Sequence, residues 1–89
     1  MLKIDLSAQA LRFLASLPEK NARQIVAKID ALSENPKQIS SEVLRGGQGE
    51  RRLKAGEFRI IYEIIETDLK IILIDRRNDD RIYRKFRRL

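Results

Sequence analysis

Gly56-Glu57 is the hinge on which this sequence turns. Glycine in the first place of a two-residue link suits a type II′ turn, because it takes the required positive φ without steric cost. Such a short link also fixes register. Ala55 faces Phe58, Lys54 faces Arg59, Leu53 faces Ile60 and Arg52 faces Ile61. Cross-strand partners share a face, and neighbours along a strand alternate between faces. Leu53, Ala55, Phe58, Ile60, Tyr62 and Ile64 therefore form an apolar face, while Arg52, Lys54 and Arg59 gather on the other. A chain that holds this hairpin must cover the apolar face.

The first third of the sequence supplies the cover. Met1 to Leu6 alternates in the manner of a half-buried strand, and Ser7 is a good N-cap. From Ala8 to Leu17, Ala10, Leu11, Phe13, Leu14 and Leu17 fall on one helical stripe, which Pro18 ends. From Glu19 to Leu32, Ala22, Ile25, Ile29 and Leu32 repeat at helical spacing until Asn35-Pro36. Lys37 to Gln48 is polar and reads as a loop, with a short turn around Val43-Leu44. Glu50 to Ala55, Phe58 to Ile65 and Leu69 to Asp75 read as strands, joined in the second case by Glu66-Thr67-Asp68. Asp80 to Arg88 closes as a short basic helix. The predicted fold is an α+β domain over residues 1–89, in the order β-α-α-β-β-β-α. Two helices pack on one face of a twisted, mainly antiparallel four-stranded sheet.

Composition narrows the chemistry. The 89 residues include no cysteine and no histidine, which excludes disulfide staples, thiolate zinc sites and the commonest general base. No apolar run approaches the roughly 18 residues of a membrane span, so a cytoplasmic protein without a membrane partner is expected. The net charge is +6 and unevenly placed, with 13 basic and 8 acidic residues after position 44 against 6 and 5 before it. A basic half points to a polyanion, either nucleic acid or an acidic protein segment, or else to a well-solvated surface.

Directly opposed cations such as Lys54 and Arg59 repel by up to about 1 kcal/mol. Three on one patch exceed what blocking a sheet edge requires, and broken local rules tend to mark functional sites. A second cluster, Arg76-Arg77-Asn78-Asp79-Asp80-Arg81-Ile82-Tyr83-Arg84, follows the last strand. Tyr83 there is open to stacking on a base, giving a proton or packing on the sheet. Asp75, Asp79 and Asp80 could in principle bind a divalent ion. Asp79 and Asp80 are adjacent and beside arginines, which makes ion pairing or helix capping their plainer account, and neither a metal nor another cofactor is expected.

The run Leu53-Lys54-Ala55-Gly56-Glu57-Phe58-Arg59-Ile60-Ile61-Tyr62-Glu63-Ile64 resembles the heart of the RelE/ParE toxin superfamily. So do Leu11-Arg12-Phe13-Leu14, the Leu17-Pro18 break and the ending of Arg77 followed by Ile82-Tyr83-Arg84. The resemblance spans nearly the whole chain. It implies a toxin of a type II toxin–antitoxin system, and in the RelE branch a metal-independent endoribonuclease that cuts messenger RNA in the ribosomal A site. It further implies catalytic roles for Arg52, Lys54, Arg59, Arg77 and Tyr83, with Arg51, Arg76, Arg81 and Arg84 holding RNA. The implied partners are the ribosome, its message and an acidic or amphipathic antitoxin. ParE-like relatives share the fold, act on DNA gyrase and generally lack the full basic set, so its presence favours the nuclease branch. A non-catalytic RNA-binding module is the remaining alternative.

The residue types suit that chemistry. When a 2′-hydroxyl attacks the neighbouring phosphorus, negative charge gathers on the phosphoryl oxygens, where fixed guanidinium groups stabilise it. Arg59 and Arg77 fit this role. For the base that takes the 2′ proton, Lys54 is better suited than Arg52, since an ammonium among cations releases a proton more readily than a guanidinium. Other members carry lysine at position 52, and arginine here argues against proton transfer by that residue.

Overall fold

The hairpin forms in the expected register. Strand β3 (Arg51–Ala55) pairs antiparallel with β4 (Phe58–Ile65), setting Leu53 against Ile60, Lys54 against Arg59 and Ala55 against Phe58. Gly56 has φ of 60° while Glu57 stays out of the positive region, as a type II′ turn requires. The structure, a computed structural model, describes residues 1–44, 46–77 and 79–88, with the side chains of residues 79, 80 and 83 outside the description.

The sheet has five strands in the order β1-β5-β4-β3-β2. Strand β1 (Lys3–Leu6) runs parallel to β5 (Asp68–Arg76), and β5 pairs antiparallel with β4. The fifth strand corrects the expected four. Glu42–Val43 (β2) lies within the predicted loop and pairs antiparallel with Arg52 and Arg51 at the β3 edge. Two residues in a polar stretch carry no periodic signal. They are held by contacts ten residues away in the chain, including a 2.6 Å ion pair from Arg52 to Glu42.

Helices α1 (Ala8–Ser16) and α2 (Glu19–Glu34) cover the apolar face of the sheet, with Pro18 between them. Ser7 caps α1 as its sequence position predicts, its hydroxyl accepting from the Ala10 N–H at 3.1 Å. The same hydroxyl donates to the Ile72 carbonyl at 2.7 Å. Beside it the Gln9 amide donates to the Ile74 carbonyl at 2.8 Å and accepts from the Ile74 N–H at 2.9 Å. Gln9 thus imitates a neighbouring strand where β1 has ended, satisfying backbone groups of a residue that is fully buried. Ala10, Ile25, Ile29 and Leu32 from the helices meet Leu53, Ala55, Phe58, Ile60, Tyr62, Leu69, Ile71 and Ile74 from the sheet. Phe13 packs edge-on against Phe58, with ring centroids 6.0 Å apart. Two members of the expected apolar set stay outside this core: Leu11 on α1 and Ile64 near the far end of β4 are exposed.

The opposite face is partly covered too. Leu44, Ile61, Leu73 and Ile82 form a second buried cluster, with Ile72 and Phe86 packed against it. Ile82 and Phe86 are one helical turn apart on α3 (Asp79–Arg87), which lies over this face. The β4–β5 pairing slips between Ile61 and Tyr62, leaving Ile72 as an extra residue in β5. Burial on both faces explains why Ile71-Ile72-Leu73-Ile74 is continuously apolar rather than alternating. Among the described residues no helix is long and apolar enough to cross a membrane.

Candidate functional site

Two cross-strand rows define the face that carries α3. Nearest the hairpin turn, Lys54 faces Arg59, which faces Asp75; one step further in, Arg52 faces Ile61, which faces Leu73. The inner row is the floor on which α3 sits, and the outer row is polar.

Each charged group in these rows has a distinct setting. Lys54 is exposed. Arg59 is half-buried, and its Nη1 donates to the carbonyls of Gly56 at 3.0 Å and Phe58 at 2.9 Å. The guanidinium therefore folds back over the turn, which eases the repulsion expected from Lys54. Asp75 is 1% exposed and receives Arg81 Nε at 3.1 Å and Lys85 Nζ at 2.9 Å, both from α3. Its other oxygen accepts from the Arg76 N–H at 2.8 Å. The carboxylate thus pins the terminal helix to the sheet through residues six and ten places further along the chain. Asp79 and Asp80, weighed with it in the sequence, have side chains outside the described residues.

Arg52 departs from the picture of a solvent-facing cation. It is 8% exposed, and Glu42 of the short edge strand closes over it. A guanidinium so enclosed is a fixed positive charge, well suited to positioning. Arg77 is exposed just beyond β5, where its N–H continues the ladder to the Glu57 carbonyl at 2.6 Å. Two residues past Asp75, strand alternation assigns it to the same face. Arg81 and Arg84 are exposed on α3. Tyr83 lies in the same helix, and its side chain is outside the described residues.

Two of the nine residues singled out from sequence face the other way. Arg51 pairs across from Tyr62 on the face of the main core, and its guanidinium donates to the Ser41 hydroxyl at 2.7 Å and the Ser41 carbonyl at 3.0 Å. The Tyr62 hydroxyl shares that serine at 2.7 Å, so Arg51 ties the loop before β2 to the sheet. Arg76 pairs across from Phe58 and lies over its ring, 5.6 Å from the centroid.

The sheet edge adds residues that the sequence did not single out. A cleft of about 250 Å³ is lined by Lys28 of α2, Ser40, Ser41 and Glu42 before and within β2, and Arg52 and Lys54 of β3. Only folding brings Lys28 to Lys54, and no local motif announces it.

This sheet, helical hairpin and docked basic helix have known counterparts. The family model described as the ParE toxin of type II toxin–antitoxin systems, parDE, matches residues 4–81. The chain belongs to this toxin family, within the RelE/ParE superfamily. Several solved structures share its fold. A chain of the RelBE2 toxin–antitoxin complex from Mycobacterium tuberculosis is 24% identical with a TM-score of 0.73, over 85% of this chain and 98% of that one. The archaeal RelE–RelB complex from Pyrococcus horikoshii gives 23% and 0.72, over 86% and 96%. The isolated RelE toxin of E. coli gives 20% and 0.72, over the full length of both chains. A comparison with curated proteins finds no match.

Proposed function

We propose that this ParE-family toxin is a ribosome-dependent endoribonuclease that cuts messenger RNA in the A site without a metal. The observation that carries this reading is the row of Lys54 and Arg59 on the α3 face, with Arg52 fixed beside it and Arg77 beyond the next strand. A phosphate over this row meets guanidinium groups that hold their charge at any working pH. The 2′-oxygen attacks phosphorus as Lys54, in its amine form, takes the 2′ proton, and the P–O5′ bond breaks with a proton passing from water to the departing 5′-oxygen, leaving a cyclic phosphate. Arg59 and Arg77 stabilise the charge that builds on the phosphoryl oxygens. Arg52, locked to Glu42, orients the phosphate and moves no proton. Tyr83 belongs to the helix over this face, where a phenol can stack on an unpaired base or share in proton transfer. With no histidine in the chain, cleavage of free RNA is slow, and the ribosome supplies the in-line geometry.

Arg81 and Arg84 hold the flanking strand, whereas Arg51 and Arg76 serve the fold in this reading. An acidic or amphipathic antitoxin silences the toxin by covering the basic face. The solved complexes that share the fold pair a RelE toxin with a RelB antitoxin, which supports such a partner. The match to the ParE family favours a second reading, in which the same scaffold inhibits DNA gyrase. Induced expression separates the two. Cut messages with intact DNA support the nuclease; DNA breaks with whole messages support gyrase inhibition and overturn the first reading.

A further inference from the structure

Resting on the ribonuclease reading, we infer that the cleft between α2 and the β2–β3 edge is a second phosphate subsite, and that Lys28 is its specificity for a polynucleotide over a lone phosphodiester. The cleft holds three cations, Lys28, Arg52 and Lys54, against one carboxylate, Glu42. That carboxylate is already taken by Arg52 at 2.6 Å. Among the described residues neither Lys28 nor Lys54 has an ion-pair or hydrogen-bond partner. Two ammonium groups on one small concavity with no counter-charge of their own constitute a site for an anion.

Position identifies the anion. Lys54 belongs both to this cleft and to the row facing Arg59, so the cleft opens directly beside the proposed reaction centre. Adjacent phosphates along a single strand are the natural pair of anions to occupy two such neighbouring places. Lys28 is built for reach. Flanked by the buried Ile25 and Ile29, it is itself half-buried, so its stem runs along apolar surface while the ammonium meets water at the cleft. Ser40, exposed on the rim, offers a hydroxyl to a phosphate oxygen.

The probe is a short fluorescent single-stranded RNA with every 2′-hydroxyl methylated, which binds and cannot be cut. Its affinity is measured by anisotropy between 50 and 200 mM salt for wild type, Lys28→Gln and Lys28→Arg. One lost phosphate contact lowers the log–log slope by about 0.7, so wild type should lose about 2.6-fold more affinity over this range than Lys28→Gln. Lys28→Arg should keep the wild-type slope. On programmed ribosomes Lys28→Gln should raise KM and leave kcat unchanged, as a contact made equally in ground and transition states requires. An unchanged slope in Lys28→Gln overturns the subsite, as does weakened antitoxin binding with RNA binding intact. Wild type that binds the probe and cuts no message overturns the ribonuclease reading alone, and the slope still decides the subsite.

Discussion

Replacing Asp75 with asparagine should undock the terminal helix. The side chain is 1% exposed and forms ion pairs with Arg81 and Lys85 of α3 at 3.1 and 2.9 Å. Asparagine keeps the shape and the acceptor for the Arg76 N–H, and loses the charge. Removing one member of a fully buried ion pair costs about 3–5 kcal/mol, because the other is stranded. Here the cations are not stranded, since the Arg81 and Lys85 side chains are 51% and 37% exposed and water takes them up. Relief from burying a carboxylate offsets more of the loss. The net cost should fall to about 2 kcal/mol, near the value of a charge-assisted hydrogen bond. For a domain of this size that lowers Tm by about 8–16 °C. Amide exchange should show where the loss lies: protection falls in α3 first, since its hold on the sheet then rests chiefly on the apolar contacts of Ile82 and Phe86 among the described residues, while β3 to β5 change less. A Tm within about 2 °C of wild type, with α3 protection intact, refutes the claim that Asp75 is the pin.

Other substitutions test other joints of the fold. Gln9→Ala leaves the N–H and carbonyl of buried Ile74 without partners, and should cost about 2 kcal/mol by urea denaturation. Glu66 sits at φ of 56° in the two-residue β4–β5 turn, so Glu66→Gly should raise stability by up to about 1 kcal/mol, read from the thermal midpoint. Lys54→Ala removes a cation facing Arg59 and should raise Tm by about 1–3 °C while abolishing message cleavage. The stability gain is small because Arg59 already leans onto the turn carbonyls.

The hairpin was legible in the sequence because a two-residue turn leaves one register open, and the alternation of Leu53, Ala55, Phe58 and Ile60 agrees with it. The helical pair was equally legible, with Ser7, Pro18 and Asn35 marking its ends. Alternation also bore on two of the basic residues. Arg51 and Arg76 each stand one step from the α3 face, and period two sends them to the core side with Tyr62 and Phe58. Ile61 belonged to the cationic face by the same rule, and its burial required α3 to fold over it. What stayed hidden depends on distance along the chain. Glu42 closes over Arg52 because a loop of polar residues is tied down by Arg51, Ser41 and Tyr62, which no local pattern records. Lys28 looked like one more solvent-facing helix lysine until the fold set it beside Lys54.

The most direct test uses purified ribosomes programmed with a defined message and the toxin as the sole addition, with cut ends mapped by primer extension. Wild type should cut within the A site and leave the same message whole when ribosomes are omitted. Arg59→Ala and Arg77→Ala, each first shown to melt near wild type, should slow cleavage by about a hundredfold or more. Cleavage by both variants at the wild-type rate, or an intact message under wild-type toxin, contradicts a catalytic cation row.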